Sequence, residues 1–209
     1  MSKTVLNTRQ QILATALQAF NKQGIEASGV RDLAAILNLS AGNVTYYFPT
    51  RDEMVKELIN ELDANIRLLT DKVKIETVID FFGQQKLIMD VQFQYRSLYL
   101  ALGTLSMYNK KAGASIKKFE KRRTDQLKTA LQGLTKSAQL EKLNSSDMDA
   151  LLSLVHGYSN HWIVSAMINN PSGKKDQSIK TAQHGMAFLL NPYLTKKGKG
   201  DLAKALKAK

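Results

Sequence analysis

"LNLSAGNVTYYFPTRDEM", residues 37–54, is the stretch on which the fold turns. Leu37 and Leu39 flank Asn38, and asparagine tolerates a left-handed backbone best after glycine. Ser40 follows as a natural N-cap. The stretch therefore reads as the end of one short helix, a tight turn and the start of another, which Phe48-Pro49 stops. Small residues stand at the front of the second helix and tyrosines at its back, an arrangement unusual for either a buried or a solvated helix.

Outward from this turn, residues from about Val30 to Leu37 form a short helix capped by Ser28 or Gly29. Val30, Leu33, Ala34 and Leu37 face inward, and small Ala34 allows its partner to approach closely. Val44, Tyr47 and Phe48 continue that core on the second helix. Earlier in the chain, Thr8 and Gln11 have the spacing of a capping box, and Ile12, Leu13, Ala16, Leu17 and Phe20 form one apolar stripe ending near Gly24. Later, Thr50 caps a longer helix from Asp52 to about Leu69, with Met54, Val55, Leu58, Ile59, Leu62 and Ile66 inward. Asp52 and Glu53 suit the positive end of its dipole.

Two short helices packed at a fixed angle can present the second to a DNA groove. The outward face of that second helix is Ala41, Gly42, Asn43, Thr45 and Tyr46, behind the Ser40 cap. Asn43 suits adenine in the major groove and the Thr45 methyl suits a thymine methyl. The hydroxyl of Tyr46, with that of Tyr47 as a second candidate, reaches phosphate oxygens and sets register. Arg31 and Arg51 flank the surface with charge. The plainer alternative is a helical hairpin in a core with tyrosines as packing. The agreement of apolar spacing, asparagine turn, serine cap and uncharged outer face favours the DNA reader.

Residues 9–55 resemble the DNA-binding region of the TetR family of bacterial transcriptional repressors. The resemblance rests on Arg9, Ile12-Leu13, Ala16, Phe20 and Gly24, then on "VRDLA" (30–34) and on "NLSAGNVTYYFPTRDEM" (38–54). Arg51 fills the place where the family carries a phosphate-contacting lysine. Thr45 stands where most members have a DNA-contacting tyrosine, and Gly29 where a Ser or Thr cap is usual. The resemblance implies a C-terminal body that dimerises through its last two helices and encloses a pocket for a small-molecule effector.

The composition agrees with a helical, soluble regulator. The chain has 209 residues, with 44% apolar and 23% charged, and strand-like alternation is hard to find, so an all-α fold is expected. Lack of cysteine removes disulfides, thiolate catalysis and Cys-ligated zinc. No apolar run reaches the roughly 20 residues that span a bilayer, and MSKTVLNTRQQIL has no apolar signal core, so a cytoplasmic protein is expected. The net charge of +12 suggests a polyanionic partner. Most of it lies outside the first 55 residues: seven bases meet only Glu120 in 110–123, and six lysines meet only Asp201 in 196–209.

The expected organisation is 1–50 helix-turn-helix domain, 51–70 connecting helix, 71–195 ligand-binding and dimerisation domain, and 196–209 a basic tail expected to be disordered. Breaks are expected at Asn109–Ser115, near Asn144–Ser145, and over Asn169–Ser178 with its Pro171-Ser-Gly. Leu152, Val155, Trp162 and Ile163 on one late helix, with Met186, Leu189 and Leu190 on the next, suit an isologous four-helix dimer interface. The alternative is that they complete the monomer's core. Phe82, Phe93, Tyr95, Tyr99 and Met107 are candidate pocket walls and equally candidate core. Arg96 either meets an anionic effector or pairs with an acid such as Asp90.

"KKFEKRR" (117–123) reads as a solvated helix face, and the C-terminal lysines as a source of nonspecific DNA affinity. His156 and His161 are five apart, without the spacing or carboxylates of a metal or catalytic pair, and neither an enzyme nor a cofactor is called for. The expected function is a ligand-responsive repressor that binds a palindromic operator as a homodimer, the effector acting by tilting the connecting helix. The rival reading is a basic helical adaptor or membrane-surface protein without sequence-specific DNA recognition.

Overall fold

The computed structural model describes residues 7–169 and 174–207. Its regular structure is helical: α1 (Thr8–Gln23), α2 (Val30–Leu37), α3 (Ala41–Tyr47), α4 (Arg51–Thr70), α5 (Val78–Gln94), α6 (Arg96–Leu100), α7 (Leu102–Tyr108), α8 (Lys110–Lys136), α9 (Ser145–Asn169), α10 (Lys175–Leu190) and α11 (Lys196–Lys207). The all-α expectation holds, and the one extended contact among the described residues is an isolated antiparallel bridge between Leu140 and Leu194.

Contacts divide the chain into two compact units, Met1–Asp63 with Tyr95–Phe119, and Ala64–Gln94 with Glu120–Lys209. This division differs from the expected succession of domains, because the first unit takes in α6, α7 and the start of α8. In that unit α1 packs on α2 and α6, and α2 packs on α3. Ile12, Leu13, Ala16 and Phe20 of α1, Leu33 and Ala34 of α2, and Val44 and Phe48 at α3 are all buried. Met54, Val55, Leu58, Ile59 and Leu62 of α4 are buried as their spacing predicts, and so is Ile66, which falls in the second unit. Arg9 lays its guanidinium over the Phe48 ring, 4.9 Å from the centroid, and its Nη2 reaches Glu57 at 3.0 Å.

The caps explain where the helices begin. The capping box of α1 lies one residue earlier than Thr8 and Gln11: Asn7 Oδ1 accepts from the Gln10 N–H at 2.9 Å, and Gln10 Oε1 accepts from the Asn7 N–H at 3.0 Å. Thr8 is instead the first helical residue. At α2, Asp32 accepts from the Gly29 N–H at 2.8 Å, but glycine has no side chain to return the bond, so half the box is made. Thr50 caps α4 as expected, its Oγ1 accepting from the Glu53 N–H at 3.3 Å.

Asn109 ends α7 and also starts α8, its Oδ1 accepting from the N–H groups of Lys111 and Ala112 at 3.1 and 2.8 Å. The break expected through Ser115 is therefore confined to this one residue. Tyr95 and Ala101, where α5, α6 and α7 part, carry no proline or glycine to signal the breaks. α8 ends at Lys136 and α9 begins at Ser145, beside the expected Asn144 break; the Pro171-Ser-Gly segment lies outside the described residues.

In the second unit α10 packs on α5 and α9, and α11 packs on α5 and α10. Phe81, Phe82, Leu131, Leu134, Val155 and Met186 are at the centre of one apolar core. The disordered tail expected over 196–209 is corrected by α11, since residues 196–207 are helical and docked; 208–209 lie outside the described residues. Thr195 Oγ1 accepts from the Gly198 N–H at 3.1 Å, and the buried Gln139 side chain donates to Asp201 at 2.7 Å. A Cβ on Gly198 would lie 2.1 Å from the Gln139 carbonyl oxygen, so the close approach needs glycine. Leu202 is buried, with Ala205 and Leu206 packed partly beside it.

Candidate nucleic-acid interface and effector region

The turn between α2 and α3 forms as its residues dictate. Asn38 has φ 53° and ψ 38°, the left-handed conformation. The Leu39 N–H donates to the Ala34 carbonyl at 2.9 Å and the Asn38 N–H to Ala35 at 3.3 Å, the paired bonds of a Schellman motif. The Ser40 hydroxyl accepts from the Asn43 N–H at 3.1 Å and so caps α3. With both helix ends tied, α3 is held at one angle to α2.

That arrangement leaves Ala41, Gly42, Asn43, Thr45 and Tyr46 exposed, with Val44 beneath them fully buried. Tyr46 is 81% exposed, and Tyr47, expected in part as core, is 38% exposed. Their rings meet edge to face, centroids 5.1 Å apart, which steadies both on the surface. The Thr45 hydroxyl donates back to the carbonyls of Ala41 and Gly42 at 3.1 and 3.0 Å. The polar end of Thr45 is thereby turned to its own backbone, and its methyl is what it offers outward.

Of the two flanking arginines, Arg31 is exposed. Arg51 is engaged inside the unit: it pairs with the Glu26 carboxylate and donates to the Glu26 carbonyl at 3.0 Å. Its fork bridges α4 to the segment before α2.

The six candidate effector residues are not brought together within one unit. Phe82 and Phe93 lie in the second unit, and Tyr95, Arg96, Tyr99 and Met107 in the first. Phe82 is buried edge to face against Phe81, Tyr95 and Tyr99 are buried, and Met107 is 73% exposed. Arg96 Nη2 donates to the Asn21 carbonyl at 3.4 Å, and Lys175 holds Asp90 at 2.7 Å. Three cavities, of about 900, 450 and 290 Å³, include none of the six.

A buried polar cluster in the second unit escaped the sequence reading. Gln92 donates to the Ser159 carbonyl at 2.9 Å and accepts from the Trp162 indole at 2.8 Å. Asn160 donates to Glu120 Oε2 at 2.7 Å, and His156 Nε2 lies 3.1 Å from the same oxygen. Glu120 Oε1 and Ser159 Oγ are buried without a hydrogen-bond partner. Arg123, read as part of a solvated basic face, is buried, and it donates to Gln126 at 3.0 Å. Helical spacing within 117–123 was the available signal, since Phe119 and Arg123 are four apart and share a face.

The expected dimer residues need a similar correction. Leu152, Val155, Trp162, Ile163, Met186 and Leu190 are buried within the single chain, and Leu189 is partly buried on the same core. They complete the protomer. The large apolar groups that α9 and α10 leave exposed are Leu154, Ile168 and Phe188, the last 85% exposed.

Comparison with known proteins agrees with this geometry. A family profile described as "Bacterial regulatory proteins, tetR family" matches residues 12–58, and one described as "Bacterial transcriptional repressor" matches residues 52–202. The HTH-type transcriptional regulator LuxR of Vibrio harveyi is 33% identical over 72 residues, which are 34% of this chain and 35% of that protein. The match thus spans about a third of that relative's length. Among solved structures, a TetR-family transcriptional regulator from Marinobacter aquaeolei VT8 superposes with a TM-score of 0.84 at 21% identity, covering 97% of this chain and 98% of that one. A putative transcriptional regulator from Saccharomonospora viridis in complex with choline gives 0.69 at 14% identity, covering 90% and 98%.

Proposed function

The chain belongs to the TetR family of bacterial transcriptional regulators, and from that premise we propose that it is a cytoplasmic, ligand-responsive repressor that binds a two-fold operator as a homodimer. The observation that carries this reading is the exposed, uncharged face of α3, held at its N-terminal end by the Asn38 turn and the Ser40 cap. Asn43 reads adenine, Thr45 packs its methyl on a thymine, and Ala41 and Gly42 permit close approach. Tyr46, Tyr47 and Arg31 contact phosphates and set the register.

A two-fold site needs a two-fold protein. Leu154 and Ile168 are two heptads apart and share a face of α9 with His161, which is also exposed; Phe188 projects from α10. These residues form the dimer face in this reading, in place of the buried set. The second unit senses the effector, and a neighbour of the same fold was solved in complex with choline. Glu120 Oε1 and Ser159 Oγ support an interior site for a polar effector, since buried polar atoms are normally paired and a ligand's donors would pair them. Effector and operator then exclude one another by linkage.

The test is a gel shift on DNA from upstream of the protein's own gene. Asn43→Ala and Tyr46→Phe should each weaken specific binding, Asn43→Ala by about tenfold or more, while sedimentation still shows dimers. Two variants that hold this DNA as tightly as the parent would remove α3 as the recognition element.

A further inference from the structure

Residues 70–76, between α4 and α5, stand off from the C-terminal half of α8 and leave a groove of about 900 Å³ entirely within the second unit. Its size falls in the range of small-molecule sites. The walls are pinned at both ends. Gln126 on α8 donates to Thr70 Oγ1 at 2.6 Å, and the Ser137 hydroxyl donates to the Glu76 carbonyl. Gln84 of α5 also ties down the end of α4, donating to the Leu69 carbonyl at 3.1 Å. Beside the Ser137 contact, a Cβ on Gly133 would lie 2.2 Å from the Ile75 carbonyl oxygen, so this close approach to α8 needs glycine. The groove is a built space between fixed contacts.

Its carboxylates are all paired, and among the described residues two of its lysines are not. Three carboxylates line it, and each already has a cation: Asp71 has Arg67 at 3.0 Å, Asp125 has Lys121 at 3.1 Å, and Glu76 pairs with Lys74. The Arg67 hydrogen bond holds the Asp71 carboxyl below its ordinary range, so that pair stays ionised. Lys72 and Lys136 line the same groove, and no carboxylate among the described residues pairs with either. Ile75 and Ala130 are buried and give the groove an apolar floor.

We propose that this groove is a second binding site, distinct from α3 and from the Glu120 cluster, for an anionic amphiphile: a phosphate or carboxylate head held between Lys72 and Lys136, with an apolar body on Ile75 and Ala130. The two cations give the head its site, and salt screens their contribution because both are exposed. The floor supplies the remaining affinity by burial of the body.

The test is calorimetric titration of the full-length protein with decyl phosphate and decanoate, both below micelle formation. Inorganic phosphate, decanol and decyltrimethylammonium are the controls. One site per chain should appear for the two anionic amphiphiles and weaken with salt. Inorganic phosphate should bind far more weakly, which separates a free anion from a headgroup on a chain. Lys72→Gln with Lys136→Gln removes two exposed cations and leaves the core untouched; it should weaken the decyl phosphate site by about tenfold. Thr129→Trp, also at an exposed position lining the groove, should block it while the thermal transition stays cooperative. The proposal is overturned if the anionic amphiphiles show no saturable site, or if decyltrimethylammonium binds as well as they do. Unchanged affinity in both variants also overturns it, because the ligand would then sit elsewhere. Operator binding by the same preparations is scored separately, so failure here leaves the DNA reading standing.

Discussion

At the residue scale, Thr45 is one of two places where this chain departs from the pattern it resembles, and its hydrogen bonds show what the departure does. A tyrosine would bring a ring and a hydroxyl to DNA, whereas Thr45 spends its hydroxyl on Ala41 and Gly42 and offers a methyl. Burying one methyl against a thymine methyl is worth about 0.8 kcal/mol, or roughly fourfold in affinity. Uracil in place of one thymine in each half-site should therefore weaken the parent protein by about that factor per half-site. Thr45→Ser keeps the backbone bonds and lacks the methyl, so it should be indifferent to the exchange at that position. Equal sensitivity of parent and variant would show that Thr45 does not face the base. The identity of this residue was legible in the sequence. The direction of its hydroxyl was not, because it depends on how α3 closes its own carbonyls.

At the scale of elements, the short helices could be read because local rules fixed them. Asn38, Ser40 and Thr50 act as turn and cap residues whatever surrounds them, and the apolar stripe of α4 follows helical spacing from Met54 to Ile66. The C-terminal lysines misled for the opposite reason. Composition suggested a solvated tail, but Leu202, Ala205 and Leu206 fall on one face, and Gln139, over sixty residues away in the chain, holds the helix by Asp201. A contact of that separation leaves no local trace. Leu202→Ala should cost about 2 kcal/mol in a urea titration, at the low end for a buried leucine because α11 lies at the edge of the core. A change under about 0.5 kcal/mol would mean that α11 is not docked on the core.

At the scale of the whole molecule, the wide apolar bands on α9 and α10 suggest an interface because their residues are large and numerous. Most are consumed in the protomer, since the second unit must bury α5, α8, α9, α10 and α11 together. Sequence shows that a helix has more than one apolar face but not which of them another copy covers. The exposed set predicts that Phe188→Asp yields monomers by sedimentation at micromolar concentration, with the helical spectrum unchanged; a persistent dimer would place the interface elsewhere. The proposed dimer would in turn fix the form of the operator, with half-sites about one helical turn, or a multiple of it, apart. Selection of bound sequences from a random duplex pool, by the full-length protein and by its Asn43→Ala variant, tests this reading most directly. The reading predicts that the parent enriches a two-fold sequence with adenine and thymine at fixed places in each half-site, and that the variant loses the preference at the adenine. Binding that falls with salt but enriches no sequence would contradict it.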